Sequence, residues 1–101
     1  MNPKSCYIIG DVHGYYDKLL RLVKKLPENA RLAFVGDLID RGPDSAKVIA
    51  FVRDGGHLCV RGNHEEFMIA QRPEPGKAWK KDDAYYLWME NGGGATLASY
   101  G

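Results

Sequence analysis

The sequence has no run approaching the roughly 18 apolar residues that a membrane span needs, no Cys-x-x-Cys pair and no low-complexity stretch. The first absence argues against a membrane anchor. The short apolar segment after Met1–Ser5, broken by Gly10 and Asp11, also lacks the form of a signal peptide. The second excludes a zinc knuckle or a disulfide framework, and leaves Cys6 and Cys59, each inside an apolar run, as expected buried free thiols of a cytoplasmic protein. An excess of one charge is missing too, since 14 Lys and Arg stand against 13 Asp and Glu for a net charge of +1. Without a basic stripe no nucleic-acid partner is expected, and an anionic ligand has to be recruited locally, by a metal or a few arginines. Histidine is scarce: His13, His57 and His64 are the only three.

What is there is an ordinary globular composition, 45% hydrophobic and 27% charged, in 101 residues, enough for one small domain. Cys6–Gly10 is a short run of β-formers that ends in glycine. Tyr16, Leu19, Leu20, Val23 and Leu26 follow at helical spacing, with lysines and Arg21 between them, until Pro27. The same grammar repeats as a strand over 32–36, a loop over 37–42 and a helix over 43–53, with Pro43 suited to a first helical turn. A third strand is expected over 58–60, then a helix over 65–72 that Pro73 stops. Residues 73–101 read as a polar turn, an amphipathic helix over 82–90 and the run Asn91-Gly92-Gly93-Gly94. The fold class is therefore α/β, a β-α-β-α-β series with a mostly parallel sheet whose loops gather at the carboxyl edge of the strands, where ligands of such sheets bind.

Gly10, Gly36 and Gly62 close the three strands at intervals of 26 residues, and each is followed by Asp or Asn. The loops bring to one edge Asp11, His13, Asp37, Asp40, Arg41, Asn63, His64 and Glu65. Carboxylate, imidazole and amide ligands without thiolates suit Mn²⁺ or Fe rather than structural zinc. One ion would take Asp11, His13 and a bridging Asp37, and a second the same Asp37 with Asn63. His64 is suited to protonate a leaving alkoxide, with Asp40 holding its tautomer, and Arg41 offers a planar fork to phosphate oxygens.

Each residue alone has a plainer reading. Asp11 or Asp37 would be a helix cap, His64 a surface or core histidine, His57 a solvated turn residue, and the aromatics Trp79, Tyr85, Tyr86 and Trp88 packing groups. Arg61 stands evenly between a surface charge and a phosphate ligand. The conjunction decides otherwise: Gly-Asp-x-His-Gly, Gly-Asp-x-x-Asp-Arg-Gly and Gly-Asn-His-Glu, in that order, each at a strand end.

This set, over residues 7–66, resembles the calcineurin-like metallophosphoesterases, and within them the phosphoprotein phosphatases. Gly62-Asn63-His64-Glu65 and Trp88-Met89-Glu90-Asn91-Gly92-Gly93 are similar to the bacterial and phage serine/threonine phosphatases, whereas the related diadenosine tetraphosphate hydrolases usually carry Asp in place of Glu65. The resemblance implies Asp11, His13, Asp37 and Asn63 as metal ligands, His64 and Asp40 as the acid pair, and Arg41 with Asn63 as phosphate ligands. It implies two divalent ions, Mn²⁺ foremost with Fe, Zn or Ni as alternatives, and hydrolysis of phosphate monoesters by a metal-bridging hydroxide. The implied substrate is a phosphoprotein or a small phosphoester; the alternatives are a dinucleoside polyphosphate hydrolase and a truncated, non-catalytic module that binds a metal or a partner.

Family members complete the second metal with two further histidines, and no histidine lies after His64 here. At most one ion is therefore expected to bind well. The chain reads as the N-terminal part of one four-layer αββα domain with its C-terminal half absent, so that an uncovered sheet face would favour self-association.

Overall fold

The computed structural model describes residues 5–101. The reading of Met1–Ser5 as lacking a leader lies, for residues 1–4, outside them.

Three parallel strands in the order β1 (Cys6–Ile9), β2 (Arg31–Phe34) and β3 (Leu58–Cys59) form one sheet. Helices α1 (Tyr16–Lys24) and α2 (Ser45–Asp54) connect them in turn. Beyond β3 the remaining elements are all helical: α3 (Asn63–Gln71), α4 (Asp83–Trp88), a π-helical turn (Met89–Gly93) and α5 (Gly94–Ser99). The α/β class and the parallel sheet are as the alternation predicts, because a strand-helix-strand crossover leaves successive strands pointing the same way.

Side-chain alternation along a strand assigns the two faces of the sheet. Tyr7 pairs with Leu32 and Ile9 with Phe34. Ile9, Leu32 and Phe34 are buried, and with Val12, Leu19, Leu38, Ile39, Val48 and Val52 they make the core against α1 and α2. The other face carries Ile8, Ala33, Val35, Leu58 and Val60, and it is open: Ile8 is 75% exposed and Val60 64%. In α1 the apolar stripe buries Leu19, while Arg21 and Lys24 in the last turn complement the helix dipole.

Several local expectations shift. Helix α2 begins at Ser45 rather than Pro43, since Asp44 is its N-cap and the preceding residues are drawn into the loop by the Asp44 N–H, which donates to the Gly14 carbonyl at 2.9 Å. Helix α3 begins two residues earlier than expected, at Asn63. The C-terminal stretch does not stop at Asn91-Gly92-Gly93-Gly94. It kinks at Gly92 (φ 101°) and continues as α5, which packs on α2.

His57 is not a solvated turn residue: its half-buried ring stacks on Phe51 with centroids 5.2 Å apart and leans on Phe34 at 5.9 Å. The thiols are corrected as well, for Cys6 and Cys59 are both exposed. Cys6 shares the uncovered face with Ile8, and Cys59 lies on the edge strand. Partial burial pushes the Cys59 thiol pKa up, the Glu65 carboxylate adds to the rise, and a Gly36 backbone N–H bond offsets part of it. The nucleophile is the thiolate, so Cys59 is expected to alkylate with iodoacetamide at pH 8 more slowly in the folded chain than in urea. Equal rates would contradict this.

Candidate metal centre

The loops after β1 and β2 are zipped together by backbone bonds. The Val12 and His13 N–H groups both donate to the Asp37 carbonyl, at 3.2 and 3.0 Å, and the Gly14 N–H donates to the Leu38 carbonyl at 2.7 Å. The third loop closes against the second at Gly36, whose φ of 89° is in the left-handed region. A Cβ there would run into the backbone of Gly62 and the Val60 carbonyl. Only glycine lets the two strand ends approach this closely.

This zipping brings Asp11, His13 and Asp37 together, with one donor atom of each lying within 4.8 Å of the others. His13 is buried and Asp11 exposed, so the cluster has a protein side and a solvent side. The His13 Nδ1 lies 2.9 Å from the Ile39 carbonyl. A carbonyl can only accept, so Nδ1 carries a proton, and in the neutral ring Nε2 holds the lone pair, 3.6 Å from an Asp11 oxygen. A metal-ligating histidine has its other nitrogen tied in this way. Two carboxylates, an oriented imidazole and no thiolate fit a divalent cation.

His64 stands beside this cluster. Its ring meets that of His13 edge-on at 4.6 Å, and its backbone N–H donates to Asp37 Oδ1 at 2.9 Å. Its Nδ1 lies 2.7 Å from Asp40 Oδ2, with both side chains buried. Asp40, fully buried, also receives the Trp88 indole N–H at 2.8 Å and the Thr96 hydroxyl at 2.6 Å. Asn63 is exposed at the first position of α3, between Gly62, which abuts Asp37, and His64. Arg41 is exposed, and its backbone N–H donates to the Gly92 carbonyl at 3.0 Å. Arg61 forms an exposed ion pair with Glu66 at 3.4 Å.

Among the described residues four non-glycines have positive φ, and all lie in these loops: His13 (47°), Asp37 (51°), Asp40 (76°) and Arg41 (74°). Such conformations cost on the order of 1 kcal/mol or more each and persist only where their surroundings enforce them. Here the enforcing group for Asp37 is Glu65. Its Oε1 accepts from the N–H groups of Asp37 at 2.5 Å and Gly62 at 2.9 Å, and its Oε2 from Leu38 at 2.8 Å. As the third residue of α3 reaching back to the cap position, Glu65 is also the carboxylate half of a capping box.

A family model described as calcineurin-like phosphoesterase matches residues 5–101. The chain belongs to that family. Among curated relatives, it is 35% identical over 95 residues to Serine/threonine-protein phosphatase 1 of Salmonella typhimurium, covering 91% of this chain and 40% of that protein. It is 43% identical over 84 residues to the symmetrical bis(5'-nucleosyl)-tetraphosphatase of Erwinia tasmaniensis, covering 77% of this chain and 30% of that protein. A solved structure described provisionally as a diadenosine tetraphosphatase superposes with a TM-score of 0.54 at 26% identity, over 94% of this chain and 41% of the other. The chain thus spans well under half the length of these relatives. A calcineurin-like phosphoesterase is a hydrolase that uses divalent metal ions, and the group of Asp11, His13 and Asp37 is a possible site for one. Among the described residues no helix is long and apolar enough to cross a membrane.

Sequence reasoning assigned no role to Glu65 and did not place Ser45, Trp88 or Thr96 in the site. Glu65 was visible as part of Gly-Asn-His-Glu, and its position three residues after a glycine cap is a capping signal. For Trp88 and Thr96 no local signal exists, because their partner Asp40 is 48 and 56 residues away.

Proposed function

We propose that this chain carries the metal-binding and proton-donating part of a phosphatase that hydrolyses phosphate monoesters, with phosphoserine and phosphothreonine in proteins as the substrate class. The observation that carries the reading is the contact of two devices, a cation cluster of Asp11, His13 and Asp37 and a buried His64–Asp40 pair, with the two imidazoles 4.6 Å apart. A divalent cation bound there, Mn²⁺ foremost, supplies Lewis-acid polarisation of the phosphoryl group and an activated water.

The chain's own residues do the rest. Asp11, His13 and Asp37 would hold the ion, and Asn63, next in the chain to His64 whose N–H donates to Asp37, would extend the ligand set toward a second ion and the phosphate. Asp40 accepts the Nδ1–H of His64 in a hydrogen bond and so presents Nε2, which in the protonated imidazolium is the atom that gives a proton to the departing alkoxide. Arg41, exposed next to Asp40, binds phosphate oxygens through its fork.

The second reading, a dinucleoside polyphosphate hydrolase, is favoured by the tetraphosphatase relatives and by the similarity to the solved structure described provisionally as a diadenosine tetraphosphatase. The same reacting groups serve both, and what differs is the leaving group. Parallel assays in added Mn²⁺ with p-nitrophenyl phosphate, a phosphothreonine peptide and diadenosine tetraphosphate separate them. Faster release from the monoesters supports the first reading, and preferential cleavage of the dinucleotide replaces it with the second. Mn²⁺ binding without turnover of any of the three supports the non-catalytic alternative. Association of the chain with itself through the Ile8, Leu58 and Val60 face belongs to the same proposal, and sedimentation of the chain at rising concentration tests it.

A further inference from the structure

We infer that Thr96 and Trp88 are positioning residues for the proton-donating pair, so that the segment from Trp88 to Thr96 serves the reaction and not only the core. The inference rests on the reading of His64 and Asp40 above. Asp40 Oδ2 lies 2.7 Å from His64 Nδ1 and 2.8 Å from Trp88 Nε1, and Oδ1 lies 2.6 Å from the Thr96 hydroxyl.

An indole N–H can only donate, so Oδ2 accepts there, and with Oδ1 accepting the Thr96 hydroxyl both oxygens are held as acceptors, the arrangement that suits an ionised carboxylate. The proton between Asp40 and His64 is then on Nδ1, and the free lone pair of the neutral ring is on Nε2. Trp88 thereby specifies the tautomer of a histidine with which it forms no hydrogen bond.

Thr96 fixes the orientation. Its hydroxyl oxygen accepts from the Asp40 backbone N–H at 2.8 Å while its proton goes to Oδ1 of the same residue, so one side chain holds both ends of Asp40. Ser45 Oγ completes the set, 3.1 Å from the Asp40 N–H and 3.1 Å from Thr96. This clasp holds Asp40 at its φ of 76°. Packing alone would be served equally by valine at 96 and phenylalanine at 88. Both are 1% exposed or less, and both polar atoms are spent on one carboxylate.

The test uses this chain labelled with ¹⁵N-histidine, as Thr96→Val, Thr96→Ser and Trp88→Phe, at one fixed pH. The unsubstituted chain and Thr96→Ser are expected to show a downfield, slowly exchanging Nδ1–H of His64. Thr96→Val and Trp88→Phe should lose it while keeping a folded backbone spectrum. With Mn²⁺ and p-nitrophenyl phosphate, the same two variants should lose about tenfold in kcat at unchanged KM, the order of effect seen for groups that orient a ligand. A retained Nδ1–H signal in both variants overturns the inference, and so does Thr96→Ser behaving like Thr96→Val. If Thr96→Val unfolds, Trp88→Phe decides. Absence of turnover in the unsubstituted chain counts against the phosphatase reading alone, because the His64 signal reports positioning independently.

Discussion

Asp37→Asn should weaken Mn²⁺ binding by at least about 100-fold while leaving the chain folded. Asp37 is the one carboxylate that belongs to both devices: it is in the cation cluster with Asp11 and His13, and its Oδ1 accepts the His64 backbone N–H. Asparagine keeps an oxygen for that hydrogen bond and nearly the same volume, so the loop is retained. What is lost is a negative charge close to a divalent ion, and removing groups that only orient a metal ligand already costs about 10- to 100-fold. Calorimetric titration with Mn²⁺ reads the affinity, and circular dichroism the fold. Unchanged affinity in a folded variant would remove Asp37 from the metal site.

Glu65→Ala should cost a large part of the chain's stability. The Glu65 carboxylate is the acceptor for the backbone N–H groups of Asp37, Leu38 and Gly62, which belong to two different loops. Alanine strands three part-buried donors, and a stranded donor costs about 1–3 kcal/mol. Allowing for water at the partly open site, a total on the order of 3 kcal/mol is expected, equivalent to a fall in Tm of about 12–24 °C for a domain of this size. Glutamine, which keeps one acceptor oxygen, should fall in between. A Glu65→Ala variant that melts within about 3 °C of the parent would show that water replaces the carboxylate at little cost.

The order of elements was legible in the sequence because it rests on local rules. Apolar runs of β-formers ended by Gly10, Gly36 and Gly62 mark the strand ends, and the helical stripe from Tyr16 to Val23 marks α1. Where local rules compete, tertiary contacts decide. Pro43 is acceptable as a first helical residue, yet a bond from Asp44 to the Gly14 carbonyl delays α2. The glycines after Asn91 look like a helix end, yet Gly92 takes up a kink and α5 follows because α2 offers a surface to pack on. Cys6 and Cys59 have the polarity of core residues, but the sheet face and edge they occupy are exposed.

For the candidate centre, the sequence by itself determined which groups are available and in what order they arrive. Asp11 and His13 are two residues apart after one strand, and Asp37 and Asp40 three apart after the next. The tertiary structure decided what those groups are held by. The His13 tautomer depends on the Ile39 carbonyl, the Asp37 loop on Glu65, and Asp40 on Trp88 and Thr96. The reason is the range of the interactions. A turn or a strand end is set by backbone sterics among neighbours, so spacing reveals it. A buried hydrogen bond has no sequence period, and its partners are chosen by which elements pack together.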